Sequence, residues 1–267
     1  MAKITEESRE RFETRTTPYR ELIKKYQARE KMLLEKIKQS ESGSAYSKIQ
    51  LVEDAIYIAT IYIIINKVSV AILETKNNEA LENARKSIMR ANIYLGEVVT
   101  KLIDAPYSEY SEKLAELDNY PIEKRFYLVS KLGLAIDMLV DEFGENTKWR
   151  WAWVDLRGDY ATVAKNLLNM AEAGKSYFDP NQENYETTVR YVRLLRDIFD
   201  DSSEQFRNKY ELSSRRVDDM RKAIQYTLAL KRIYTLMGDK VNSEEMKKKA
   251  EIWRIRMEAD QKEGRSN

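Results

Sequence analysis

Residues 55–73 read AIYIATIYIIINKVSVAIL, the most strongly apolar run in a chain otherwise crowded with charge, and the reading of this run decides the fold. Three readings compete: a membrane span, a β-hairpin turning at Asn66-Lys67, and the buried spine of a helical protein. A transmembrane helix needs roughly 20 mostly apolar residues. This run is interrupted near its centre by Asn66-Lys67 and bounded by Glu53-Asp54 and Glu74. A lysine near mid-bilayer costs roughly 2.5–3.5 kcal/mol even on the lenient insertion scale. The flanks offer neither an aromatic belt nor a basic cluster to orient a span. No transmembrane span is expected.

The hairpin has more in its favour. Ile61-Tyr62-Ile63-Ile64-Ile65 and Val68-Ser69-Val70-Ala71-Ile72 are β-prone runs separated by two residues. Asn-Lys, however, lacks the glycine that a tight two-residue turn prefers after Asn. A lone hairpin is marginal without a sheet to join, and no other convincing strand is present. Upstream, Ile49, Val52, Ile56, Ala59 and Ile63 keep helical spacing. The spacing predicts one long helix over about 45–76, apolar on nearly every side because its neighbours cover it.

The composition agrees. Of 267 residues, 34% are charged, and only 8 glycines and 4 prolines are available to break helices. Net charge is +2 with both signs interspersed, so no nucleic-acid partner is expected. There is no cysteine, which excludes disulfides and thiolate chemistry. There is no histidine either, which removes the commonest general base and transition-metal ligand. No two glycines sit close enough for a phosphate-binding loop. The chain is therefore expected to be non-enzymatic and to need no cofactor.

Elsewhere the punctuation marks further helices. Thr17-Pro18 resembles an N-cap followed by proline at the first helical position, opening a helix that runs to Ser40. Glu41-Ser42-Gly43-Ser44 is a break, and Ser44 can cap the central helix. Helices follow at about 79–103, 108–118, 122–143, 148–173, 182–208, 213–237 and 243–263. Gly144-Glu145-Asn146-Thr147 supplies a turn with Asn146 or Thr147 as a cap, Gly174 a stop, and Gly238-Asp239 the last turn. Short connections imply consecutive antiparallel hairpins. The fold class is all-α: stacked antiparallel helical hairpins around helix 45–76. Residues 1–16 read as a weakly anchored segment, 17–263 as a single elongated domain and 264–267 as a frayed tail. A division into two lobes, if there is one, is expected near 175–182.

Three constellations could carry function. Lys148-Trp149-Arg150-Trp151-Ala152-Trp153 holds three of the four tryptophans. On a helix Trp149 and Trp153 share a face at i,i+4 while Trp151 points away, so one ring needs a second covering surface. Trp and Arg together are what protein-binding hot spots favour. The plainer reading covers both faces within the chain or shields the odd ring with Arg150. Tyr107, Tyr110 and Tyr120 are poorer candidates for the same protein-binding surface. Asp137 with Asp141 and Asp155 with Asp159 form two i,i+4 pairs either side of one turn. If that turn makes a hairpin, four carboxylates could bind Ca²⁺ or Mg²⁺ or act as acid and base. Lys148, Arg150 and Arg157 offer the simpler alternative of solvated ion pairs. Arg215-Arg216, Lys247-Lys248-Lys249 and Arg254 with Arg256 are interleaved with acids, which favours solvated helical faces.

Residues 223–252, AIQYTLALKRIYTLMGDKVNSEEMKKKAEI, resemble a tetratricopeptide-type helix pair. Ala223, Leu228-Ala229, Tyr234, Gly238-Asp239 and Ala250 fall where that family places small and aromatic packing residues. The resemblance implies a peptide- or protein-binding helical array. In general character, His-free, Cys-free and rich in tyrosine, the chain is also similar to spirochaetal flagella-associated proteins, including the flagellar coiling proteins of the filament sheath. That similarity implies a structural component with protein partners, self-assembly included. Met1-Ala2-Lys3-Ile4-Thr5-Glu6 has no apolar signal region, so a cytoplasmic location is expected, or a periplasmic one if Met1 precedes a mature chain.

Overall fold

Asp54 and Asn66 are the polar residues that a buried helix over 45–76 would have to accommodate. A computed structural model describes residues 5–39, 44–144, 148–213 and 215–264 and places both in satisfied, buried contacts. The predicted cap at Asn146 or Thr147, the break at 41–43 and the tail at 265–267 lie outside the described residues.

All described regular structure is helical. The helices are α1 (Glu6–Gln39), α2 (Ser44–Leu73), α3 (Asn78–Val98), α4 (Ser111–Ala115) and α5 (Ile122–Phe143). They continue as α6 (Arg150–Leu167), α7 (Met170–Ser176), α8 (Tyr185–Leu212), α9 (Val217–Leu236) and α10 (Lys240–Lys262), and a 3₁₀ turn spans Tyr107–Glu109. By contact the chain forms two compact units: Met1–Val98 with Ser130–Thr147, and Val99–Val129 with Lys148–Asn267. The division falls at the end of α3, inside α5 and at the loop after it, not at 175–182, because residues 99–129 pack with α6 and its successors.

In the first unit α2 is the hub, with α1 and α3 packed against it. Ile58, Ile61 and Ile65 of α2 meet Phe12 and Ile23 of α1 and Ala80 of α3. At 25 cal/mol per Å², burial of Phe12 and of each isoleucine contributes about 1.5–3 kcal/mol. The cover is incomplete. Tyr46, Gln50, Glu53, Tyr57 and Lys67 trace one exposed stripe at helical spacing. Arg29 of α1 grips the buried Asp54 carboxylate through Nε at 2.6 Å and through a second guanidinium nitrogen. Asn66 is fully buried: its Nδ2 donates to Glu142 Oε2 at 2.7 Å and its Oδ1 accepts from Asn77 N at 2.7 Å. By length and composition α2 is the one described helix that could cross a membrane. In this structure it is the core helix of the first unit.

In the second unit α8, α9 and α10 pack as successive hairpins and α6 lies on α8. Gly158 lets α6 approach: a Cβ there would stand 2.6 Å from Phe206 Cε2 and 2.7 Å from the Tyr226 hydroxyl. Phe206 and Tyr226 stack at 5.2 Å, and the Tyr226 and Thr162 hydroxyls are bonded at 3.1 Å. Gly238, with φ of +73°, reverses the chain between α9 and α10, and Asp239 then caps α10 by accepting from Asn242 N.

Several boundaries depart from the sequence reading, among them the end of α3, which comes at Val98 and not near 103. Pro18 sits inside α1 and not at its start, because the apolar contacts of Phe12 and the burial of Thr16 extend the helix back to Glu6. The expected helix over 148–173 breaks at Leu168, where Asn169 accepts from Ala171 N and Glu172 N and starts α7, so Gly174 lies within a helix and does not stop one.

Candidate functional site

The tryptophan segment opens α6, with Trp149 at the N-cap position and Trp151 and Trp153 in the first turn. Trp149 and Trp153 share a face, their rings 6.3 Å apart and inclined by 38°. Trp153 is buried, whereas Trp149 and Trp151 are each half-buried. A cation covers each of these two rings. Lys148 Nζ lies 5.4 Å from the Trp149 ring and the Arg150 guanidinium carbon 4.8 Å from the Trp151 ring. Such stacking contributes about 0.5–1 kcal/mol at exposed sites and leaves both rings only partly covered, with Lys148 and Arg150 exposed.

The tyrosines separate. Tyr110 meets Tyr107 edge-on at 5.5 Å and is itself only 1% exposed, which removes it from any protein-binding surface. Burial raises its hydroxyl well above the usual tyrosine range. Tyr107 and Tyr120 are half-buried, and the Tyr120 carbonyl accepts from Arg125 Nε at 2.7 Å.

The four aspartates do not make one site. Asp137 and Asp141 belong to the first unit and Asp155 and Asp159 to the second, and no group of three or more acidic residues able to hold a metal ion occurs among the described residues. Asp155 is instead taken by Lys209, whose Nζ donates to both carboxylate oxygens at 2.8 Å, with Lys222 at 3.5 Å. Lys209 also reaches Asp219 at 3.2 Å. Asp159 reaches solvent, yet protein crowding around its carboxyl holds it above the ordinary range, opposed by Lys222 and reinforced by Asp155. In the C-terminal basic stretch Lys249 pairs with Glu204 at 2.6 Å and Arg256 with Glu211 at 3.3 Å, bracing α10 against α8.

Sequence reasoning missed a set of buried cations in the second unit. Arg125 is 7% exposed and donates to the carbonyls of Leu117, Tyr120 and Leu167. Burial lowers its pKa. Lys165 is 2% exposed and its Nζ donates to the Ala105 carbonyl at 3.0 Å, while its neighbour Asn166 donates to the carbonyls of Thr100 and Leu102. Leu167 ends α6 and the other acceptors lie within residues 99–121, so these side chains tie the 99–121 segment, irregular outside α4 and the 3₁₀ turn, to α5 and α6. The signal was present: Arg125 shares a helical stripe with Val129 and Leu132, and Lys165-Asn166 interrupts the apolar Val163-Ala164 and Leu167-Leu168.

Comparison with known proteins follows from this architecture. The model of the TP0443 family matches residues 8–261. The chain belongs to that family. The match spans nearly the whole chain and both units. No curated protein matches the chain. Among solved structures, a chain described as "DHF58 filament" aligns over 94% of this chain and 99% of its own at 13% identity, with a TM-score of 0.38, a likeness too remote to carry an argument.

Proposed function

We propose that this TP0443-family protein is a non-enzymatic structural component that binds another protein or a second copy of itself through the start of α6, in a larger assembly such as a flagellar filament sheath. The observation that carries this reading is the pair of half-buried rings, Trp149 and Trp151, each stacked by its own cation. Two large aromatic edges with Lys148 and Arg150 beside them supply area, cation–π contact and hydrogen-bond donors within one turn. Those are the ingredients of an interface anchor. The resemblance in composition to filament-sheath proteins supports the assembly.

The test is a photo-crosslinking amino acid placed at residue 151 in the native cell, with residue 253 as the buried control. An adduct of defined mass at 151 and none at 253 supports the reading. No adduct at 151, or the same adducts at both positions, overturns it.

A further inference from the structure

The second unit contains a cavity of about 450 Å³, within the range of small-molecule sites, that the protein-binding reading does not use. The segment after α3 forms one wall with Asp104, Tyr107 and Tyr110, α6 contributes Lys165, and α9 contributes Lys231 and Arg232. The charges are unequal. Arg232 Nε donates to Asp104 Oδ1 at 2.6 Å, so those two groups neutralise each other. Lys165 and Lys231 remain, and neither has a carboxylate within 4.0 Å among the described residues.

A buried ammonium ordinarily carries a counter-charge, since removing it from water is costly. Lys165 has instead one carbonyl acceptor, Ala105 at 3.0 Å, and the Tyr110 ring at 5.6 Å. An ammonium has three donors, so two remain for a further partner. The Tyr110 hydroxyl, on the same wall, is buried without a hydrogen-bond partner. Anchoring Ala105 explains one hydrogen bond of Lys165. Asp104 and Glu109 favour its charged form only from beyond contact, and the bond to Ala105 explains neither the lack of a carboxylate within 4.0 Å among the described residues nor the unused donors, nor the open volume beside them.

We propose that this cavity binds a small organic oxyanion, with the Lys165 and Lys231 ammonium groups as its counter-charges and the Tyr110 hydroxyl as a further donor. Occupation would complete the ion pairing that the chain leaves open. It would also favour the charged form of Lys165, which burial otherwise lowers to about 8.

The experiment is calorimetric titration of the full chain at pH 7 and constant ionic strength with acetate, citrate and inorganic phosphate, chloride serving as the balancing ion. Saturable binding of at least one probe is expected, weakened at least tenfold in Lys165→Met and in Lys231→Gln and unchanged in Lys247→Gln. Lys231 is partly exposed, so its variant keeps the test informative if Lys165→Met fails to fold. Saturation by phosphate alone assigns the site to phosphoryl groups, and by the carboxylates alone to carboxylic acids. Either result supports the site. Absence of saturable binding for all three probes, or equal binding by wild type and both cavity variants, overturns it.

Discussion

One amide joins distant stretches of the first unit: Asn66 bridges Glu142 Oε2 and the backbone nitrogen of Asn77 from a fully buried position. Asn66→Ala removes the acceptor of the Asn77 amide and leaves Glu142 with Lys67 at 3.7 Å, and a loss of about 1–3 kcal/mol is expected in urea unfolding. Gly158→Ala meets Phe206 at 2.6 Å and is expected to cost about 1–3 kcal/mol by overpacking, measured in the same way. Lys165 makes stability depend on pH, because burial lowers its pKa from 10.5 to about 8. Below about 8 both folded and unfolded states hold the proton and the desolvation penalty stands in full. Between the folded and unfolded values only the unfolded state holds it, so stability rises with pH. From pH 7.5 to 9.5 the wild type should gain about 1–2 kcal/mol relative to Lys165→Met. Above pH 10 the buried Tyr191 and Tyr226, whose hydroxyls burial raises, reverse the trend. Little of this was legible beforehand. Asn66 read as an interruption and Lys165 as one charge among many, since burial of a polar residue depends on partners distant in the chain.

At the scale of elements, α2 was legible nearly to its ends, 45–76 against Ser44–Leu73, because apolar spacing persisted through Asn66-Lys67. The start of α1 was not, and the reason is physical. Threonine before proline marks a helix start only when the preceding turn has nothing to pack against, and here Phe12 is 6% exposed. Pro18 removes the hydrogen bond to the Thr14 carbonyl, while Thr16 and Thr17 turn their hydroxyls back to the carbonyls of Phe12 and Glu13 at 2.9 and 2.8 Å. Pro18→Ala is therefore expected to stabilise the protein by about 1–3 kcal/mol and to slow amide exchange over residues 6–17. Faster exchange there would contradict the placement of Pro18 inside the helix. The candidate site was legible in part. Trp149 and Trp153 share a face as their i,i+4 spacing requires, while Tyr110 went inward and the aspartates fell into different units.

At the scale of the whole molecule, the first unit is assembled from two stretches of chain, and α5 contributes Leu132, Ile136, Leu139 and Val140 to its buried set. A fragment of residues 1–98 lacks those side chains and the Glu142 partner of Asn66. Amide exchange over 55–70 is expected to be fast in that fragment and slow in a fragment of residues 1–147. Equal protection in both would show that α5 adds nothing to the core. The same interleaving has a meaning at the ribosome. Translation delivers residues 99–129 before the stretch that completes the first unit, and well before Leu167, whose carbonyl receives Arg125. The nascent chain must therefore finish one core around an insert whose own core is not yet made. Leu114, Leu117, Leu128 and Val129 wait without shelter in the interval, which makes this segment the place where a chaperone that meets nascent chains has most to hold.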